Sequence, residues 1–68
     1  MLKLIDLRRS RGLTQSELAD KAQINQTAVS LYEQGHRSPN LRTARRLAEV
    51  LGCSVDDIEF DALLKEAE

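Results

Sequence analysis

The sequence contains no tryptophan and only one tyrosine and one phenylalanine, so aromatic residues make up 3% of its 68 residues. That scarcity argues against a β-sandwich and for a small helical bundle packed with Leu, Ile, Val and Ala. The only cysteine, Cys53, excludes an intrachain disulfide and any cysteine-cluster zinc site, and within LGCSVDD it reads as a small buried hydrophobe. His36 is also alone and has no Cys, Asp or Glu at ligand spacing, so it reads as a solvated or phosphate-facing side chain rather than a metal ligand. No apolar run approaches the roughly 20 residues of a membrane span, and MLKLIDLRRS carries a charge every few residues. A cytoplasmic chain without a membrane partner is expected. There is no paired carboxylate in a recognisable site, no nucleophile with a base and no phosphate-binding glycine loop. Hence no catalytic residue, metal or cofactor is assigned, no small-molecule ligand is evident, and the chain is not expected to be an enzyme. Repeats, linkers and low-complexity stretches are absent too, which makes residues 1–68 a single domain. A domain this small buries only about 60% of its unfolded surface, so its stability should be modest unless chains associate.

Net charge is −1, but it is unevenly spread. Residues 1–48 hold nine Lys/Arg against four Asp/Glu, a balance of +5, whereas residues 49–68 hold one Lys against seven Asp/Glu, a balance of −6. Local potential, not total charge, attracts an anionic partner, and the acidic end is expected to point away from it.

The best-defined stretch is Leu13–Gly35, LTQSELADKAQINQTAVSLYEQG. Thr14 with Glu17 three residues on forms a capping box, and Leu18, Ala19 and Ala22 follow at helical spacing, predicting a helix over about 15–22. Asn25 offers a second N-cap, and Ile24, Ala28, Val29 and Tyr32 form the inward stripe of a helix over about 26–34 that stops at Gly35. Two short helices joined by a tight turn make a helix-turn-helix. Around it, Leu4 and Leu7 with Arg8, Arg9 and Arg11 before Gly12 predict a first helix over 2–11. GHRSPN is the one loop with strong breaker chemistry, and Asn40 caps the helix after it. Leu41, Ala44, Leu47, Ala48 and Leu51 then form the clearest amphipathic stripe, on a helix over 41–51. Gly52 ends that helix, Ser54 caps a fifth, and Val55 and Ile58 close the core. The expected fold is therefore all-α, a compact five-helix bundle. The extension 59–68 supplies three more large side chains, Phe60, Leu63 and Leu64, which either form a homodimer contact or, for Phe60, fold back on the same core.

Three blocks in order and spacing, RGLTQSELA, AVSLYEQG followed by HRSPN, and LAEVLGCSVDDI, resemble the Cro/phage-repressor (Xre-type) helix-turn-helix family from about Leu4 to Ile58. Gln23 departs from the pattern, since the family usually has Gly at that left-handed turn, where a Cβ costs about 1 kcal/mol. The resemblance implies a lambda-repressor-like DNA-binding domain whose helix 26–34 enters the major groove of double-stranded DNA. The function it implies is sequence-specific transcriptional regulation by a dimeric repressor on a palindromic operator. The alternative is an antitoxin-like or other protein-binding module that binds DNA for autoregulation. With Val29 and Tyr32 inward, Asn25, Gln26, Thr27, Ser30 and Leu31 become the base-reading residues. Thr14, Gln15, Arg37, Asn40 and Arg42 are the phosphate-contacting ones, and His36 stands near them. By the same resemblance Arg8 pairs with Glu33 and ties the first helix to the third, while Arg9 and Arg11 are left as surface or phosphate-steering charges. The reading face has no Lys or Arg, the usual readers of guanine, so the half-site core should lean towards A·T pairs.

Overall fold

The computed structural model describes residues 2–59. In chain order these form β1 (Leu2–Lys3), α1 (Leu4–Ser10), α2 (Gln15–Ala22), α3 (Gln26–Gln34), α4 (Leu41–Leu51), a single 3-10 turn (Val55–Asp57) and β2 (Ile58–Glu59). Side-chain caps fix where α2, α3 and α4 begin. Thr14 Oγ1 accepts from the Glu17 amide at 3.0 Å while the Thr14 amide donates to Glu17 Oε1 at 2.9 Å. Asn25 Oδ1 accepts from the Ala28 amide at 2.7 Å, and Asn40 Oδ1 from the Thr43 amide at 2.9 Å. Each bond satisfies an amide that has no partner inside its helix.

Left-handed residues fix where these helices end. Gln23 closes α2 at φ 61° and ψ 42°, and the next amide, of Ile24, donates back to the Ala19 carbonyl at 2.9 Å. After α3, Gly35 at φ 77° does the same without a Cβ, and the His36 amide reaches the Leu31 carbonyl at 3.0 Å.

The core is one cluster drawn from every helix and from β2: Leu4 and Leu7, Leu18, Ala19 and Ala22, Val29, Ala44, Leu47, Ala48 and Leu51, and Ile58. The four alanines among them, Ala19, Ala22, Ala44 and Ala48, let α2 pack closely on its neighbours, while Leu18, Leu47 and Leu51 fill the middle. Burial of each such leucine stabilises by roughly 1.5–3 kcal/mol relative to exposure. Leu13, Ile24, Tyr32, Val50, Cys53 and Val55 cover the rim.

Three features differ from the sequence reading. The first helix starts at Leu4 rather than Leu2, because Leu2 and Lys3 are extended and pair in parallel with Ile58 and Glu59. The fifth helix is only a 3-10 turn for the same reason: Ile58 must be extended, at φ −104° and ψ 134°, to enter that pair and still bury its side chain. Among the described residues there are therefore four α-helices and a two-stranded parallel ribbon, with a 3-10 turn where a fifth helix was expected. Leu41, placed in the α4 core stripe by its spacing, is 52% exposed. Its angle on the helix is right, but it is the first residue of α4, where the stripe runs out beyond the core. Phe60, Leu63 and Leu64 lie outside the described residues.

Candidate nucleic-acid interface

The position of α3 is set from behind. Val29 is fully buried, Tyr32 packs on the core, and Glu33 extends inwards with its side chain 3% exposed. Arg8 of α1 meets it: Nε donates to Glu33 Oε2 at 2.6 Å and an Nη donates to Oε1 at 3.2 Å, a two-pronged pair. The remaining Nη of Arg8 donates to the Leu13 carbonyl at 2.8 Å, which pins the α1–α2 loop to the same guanidinium. Gln15, in the first turn of α2, completes the group by donating from Nε2 to Glu33 Oε1 at 2.9 Å. One buried carboxylate thus holds α1, α2 and α3 in register.

That geometry changes the part assigned to Gln15. Its amide nitrogen faces a carboxylate that only accepts, so the side chain is first a strut between α2 and α3, and only its second N–H and its carbonyl oxygen remain for an outside partner. Neither sequence spacing nor composition signals this bond, which joins residues 18 positions apart. Arg11 was similarly illegible. It stays on the surface, but its Nε donates to the Leu51 carbonyl at 2.8 Å and its Nη1 to Ser10 Oγ at 3.1 Å, closing the C-terminal end of α4 against α1.

With its inner face held, α3 turns a different set outward. Asn25, Gln26 and Thr27 are exposed at its N-terminal end, and Ser30 and Leu31 are half-buried one turn further on. Asn25 has its Oδ1 committed to the cap, leaving its NH2 group, and Ser30 Oγ already accepts from Gln34 Nε2 at 3.0 Å. Gln26 and Thr27 carry no side-chain hydrogen bond within the described protein. Among the flanking residues, Thr14 is occupied in its capping box, Asn40 caps α4 with its NH2 left over, and His36, Arg37 and Arg42 are exposed. The only ion pair among the described residues is Arg8–Glu33, so the guanidinium groups of Arg37, Arg42, Arg45 and Arg46 meet no carboxylate there. Four of the nine basic residues of the segment 1–48 are thereby displayed on the loop after α3 and on the outer side of α4.

Two titrating groups depart from ordinary behaviour. The Glu17 carboxyl is held below the usual carboxylate range, first by the hydrogen bond from the Thr14 amide and then by the Thr14 hydroxyl. Desolvation raises the Cys53 thiol, with Asp57 adding to that shift and Arg11 opposing it, so the half-buried thiol is disfavoured as a nucleophile. Among the described residues no group of three or more His, Cys, Asp or Glu is arranged to hold a metal, and no helix is long and apolar enough to cross a membrane.

A capped helix held from behind by a buried ion pair, with uncharged polar residues at its exposed N-terminal end and a basic loop after it, is the arrangement of a helix-turn-helix domain. The chain belongs to the helix-turn-helix family, which it matches over residues 4–58, in the Cro/phage-repressor (Xre-type) form. It is 33% identical over 60 residues to the cryptic phage CTXphi transcriptional repressor RstR of Vibrio cholerae, covering 88% of this chain and 54% of that protein. It is 38% identical over 56 residues to the HTH-type transcriptional regulator DdrOP3 of Deinococcus deserti, covering 82% of this chain and 43% of the relative. It is 30% identical over 56 residues to the HTH-type transcriptional activator BcrR of Enterococcus faecalis, covering 82% of this chain and 28% of the relative. The chain thus spans between about a quarter and about half of these relatives.

Proposed function

We propose that this chain is a sequence-specific DNA-binding transcriptional regulator that acts as a homodimeric repressor on a palindromic operator. The observation that carries the reading is α3 itself: its inner face is locked to α1 and α2 through Glu33, while Asn25, Gln26 and Thr27 stand exposed and uncharged at the end that would enter a major groove. Gln26 has both a donor and an acceptor for the bidentate pair with adenine N6 and N7, and the Thr27 methyl and Leu31 suit thymine methyl groups. Ser30 and Asn25 supply shorter polar contacts beside them. Arg37, Asn40 and Arg42, together with Thr14 and what remains of Gln15, hold phosphates and give affinity without sequence preference. Repression is the sign carried by the relative from the cryptic phage, whereas another relative is an activator, so the sign is tested with a promoter fusion rather than by binding.

Selection of bound sequences from a random DNA pool tests the reading directly. An A·T-leaning half-site core, repeated as a palindrome, is expected. Gln26→Ala should cost about 1–3 kcal/mol on the selected operator, almost nothing on unrelated DNA, and relax preference at one position per half-site. A guanine-dominated core, or equal weakening on all DNA, would show that other residues read the bases.

A further inference from the structure

Arginines 42, 45 and 46 share the outer side of α4, all exposed, at mutual spacings of one, three and four residues. Helix physics does not favour them there. Like charges three and four apart repel, and Arg42, in the first turn, also opposes the helix macrodipole, with no acidic residue in that turn to compensate. Glu49 is the one acidic residue of α4, and it makes no ion pair with Arg45 or Arg46. The cluster continues, through capping Asn40, into the loop with Arg37 and His36. The inner side of the same helix is wholly apolar, with Ala44, Leu47, Ala48 and Leu51 buried, so the arginines have no role in packing the domain.

We propose that Arg45 and Arg46 form a second DNA-phosphate contact, extending the bound backbone along the outer side of α4 beyond the contacts made by the loop and by Arg42. This rests on the DNA-binding reading given above and extends it from Arg42, at the start of α4, to two further residues along the same helix. The recognition helix carries no cation between Gln23 and Gln34, so nonspecific attraction has to come from elsewhere on the surface, and α4 holds its largest unpaired concentration among the described residues. Two such guanidinium groups release counterions when they meet phosphates, and that release is read from the salt dependence of binding.

The test compares the intact chain with the variants Arg45→Gln/Arg46→Gln and Arg45→Lys/Arg46→Lys on one operator and on unrelated DNA at several salt concentrations. The slope of log K against log salt should fall by about 0.9 for each lost phosphate contact, up to about 1.8 per chain, in the glutamine variant. It should fall equally on both DNAs, and the lysine variant should keep most of the slope. Protection of the DNA backbone from hydroxyl radicals should shrink at the edge of the footprint. An unchanged slope and footprint, in an experiment where Arg37→Ala does reduce the slope, would overturn this site while leaving the DNA-binding reading intact. Failure of the unmodified chain to bind DNA with any salt dependence would overturn both. Thermal unfolding serves as the control: the glutamine variant should be as stable as the parent or slightly more stable, since it relieves repulsion within α4.

Discussion

Glu33 is the residue whose loss the molecule should tolerate least. Its buried carboxylate accepts from Arg8 twice and from Gln15 once, so removing it strands the guanidinium of Arg8, whose side chain is only 10% exposed. Arg8→Met or Glu33→Leu alone should destabilise by about 3–5 kcal/mol, whereas the double variant should be less destabilised than the sum by about 2 kcal/mol or more. The double variant will not be fully neutral, because it leaves the Leu13 carbonyl and the Gln15 amide to find water. Denaturant unfolding of the four proteins provides the cycle, and additive losses would refute coupling. Gln23 behaves in the opposite way. Its left-handed backbone at φ 61° carries a Cβ that the turn does not need, so Gln23→Gly should stabilise the fold by about 0.5–1 kcal/mol, the gain being limited by the greater freedom of glycine in the unfolded chain. A lower denaturation midpoint for this variant would mean that the Gln23 side chain holds the turn in some other way.

Among the elements, α2 couples its own start to pH. The capping box depends on an ionised Glu17, whose folded-state carboxyl is held lower than in the unfolded chain. Its contribution is therefore complete above the unfolded carboxyl range and is lost as pH falls through the folded value. Melting temperature followed from about pH 6 to about pH 3 should fall for the parent protein, and the fall should be shallower in Glu17→Gln, which keeps an acceptor but cannot titrate. Parallel curves would remove Glu17 as a contributor. Element ends were the least legible part of the sequence. The boundaries of α2, α3 and α4 followed from Thr14, Asn25 and Asn40, because a cap is a local bond between neighbours. The two terminal helices were overextended because β1 and β2 lie 56 residues apart in their register, Leu2 with Ile58, and no local signal reports that pairing.

At the scale of the whole molecule, the sequence divides into a basic portion ending within α4 and an acidic portion beyond it, and a local excess of positive charge suits an anionic partner. On a palindrome, two copies would place their α3 helices about one DNA turn, ~34 Å, apart. Sedimentation of the chain with and without a selected operator should show two copies on the DNA, and substitution of Phe60, Leu63 and Leu64 by serine should weaken that pairing without altering the half-site read by one copy. One copy per operator at high micromolar protein would exclude the dimer. What the sequence determined by itself was everything that depends on neighbours along the chain: the helical periodicities, the caps, the breaker loop and the uncharged outer face of α3, since these forces act over a turn or two. Tertiary structure alone decided that Gln15 braces Glu33, that Arg11 closes α4 from 40 residues away, that Leu41 is left in solvent and that the ends of the domain meet as a parallel ribbon. Each of these depends on which surfaces the packed helices bring together, and a hydrogen bond or a buried methyl group between distant residues leaves no period in the sequence that specifies it.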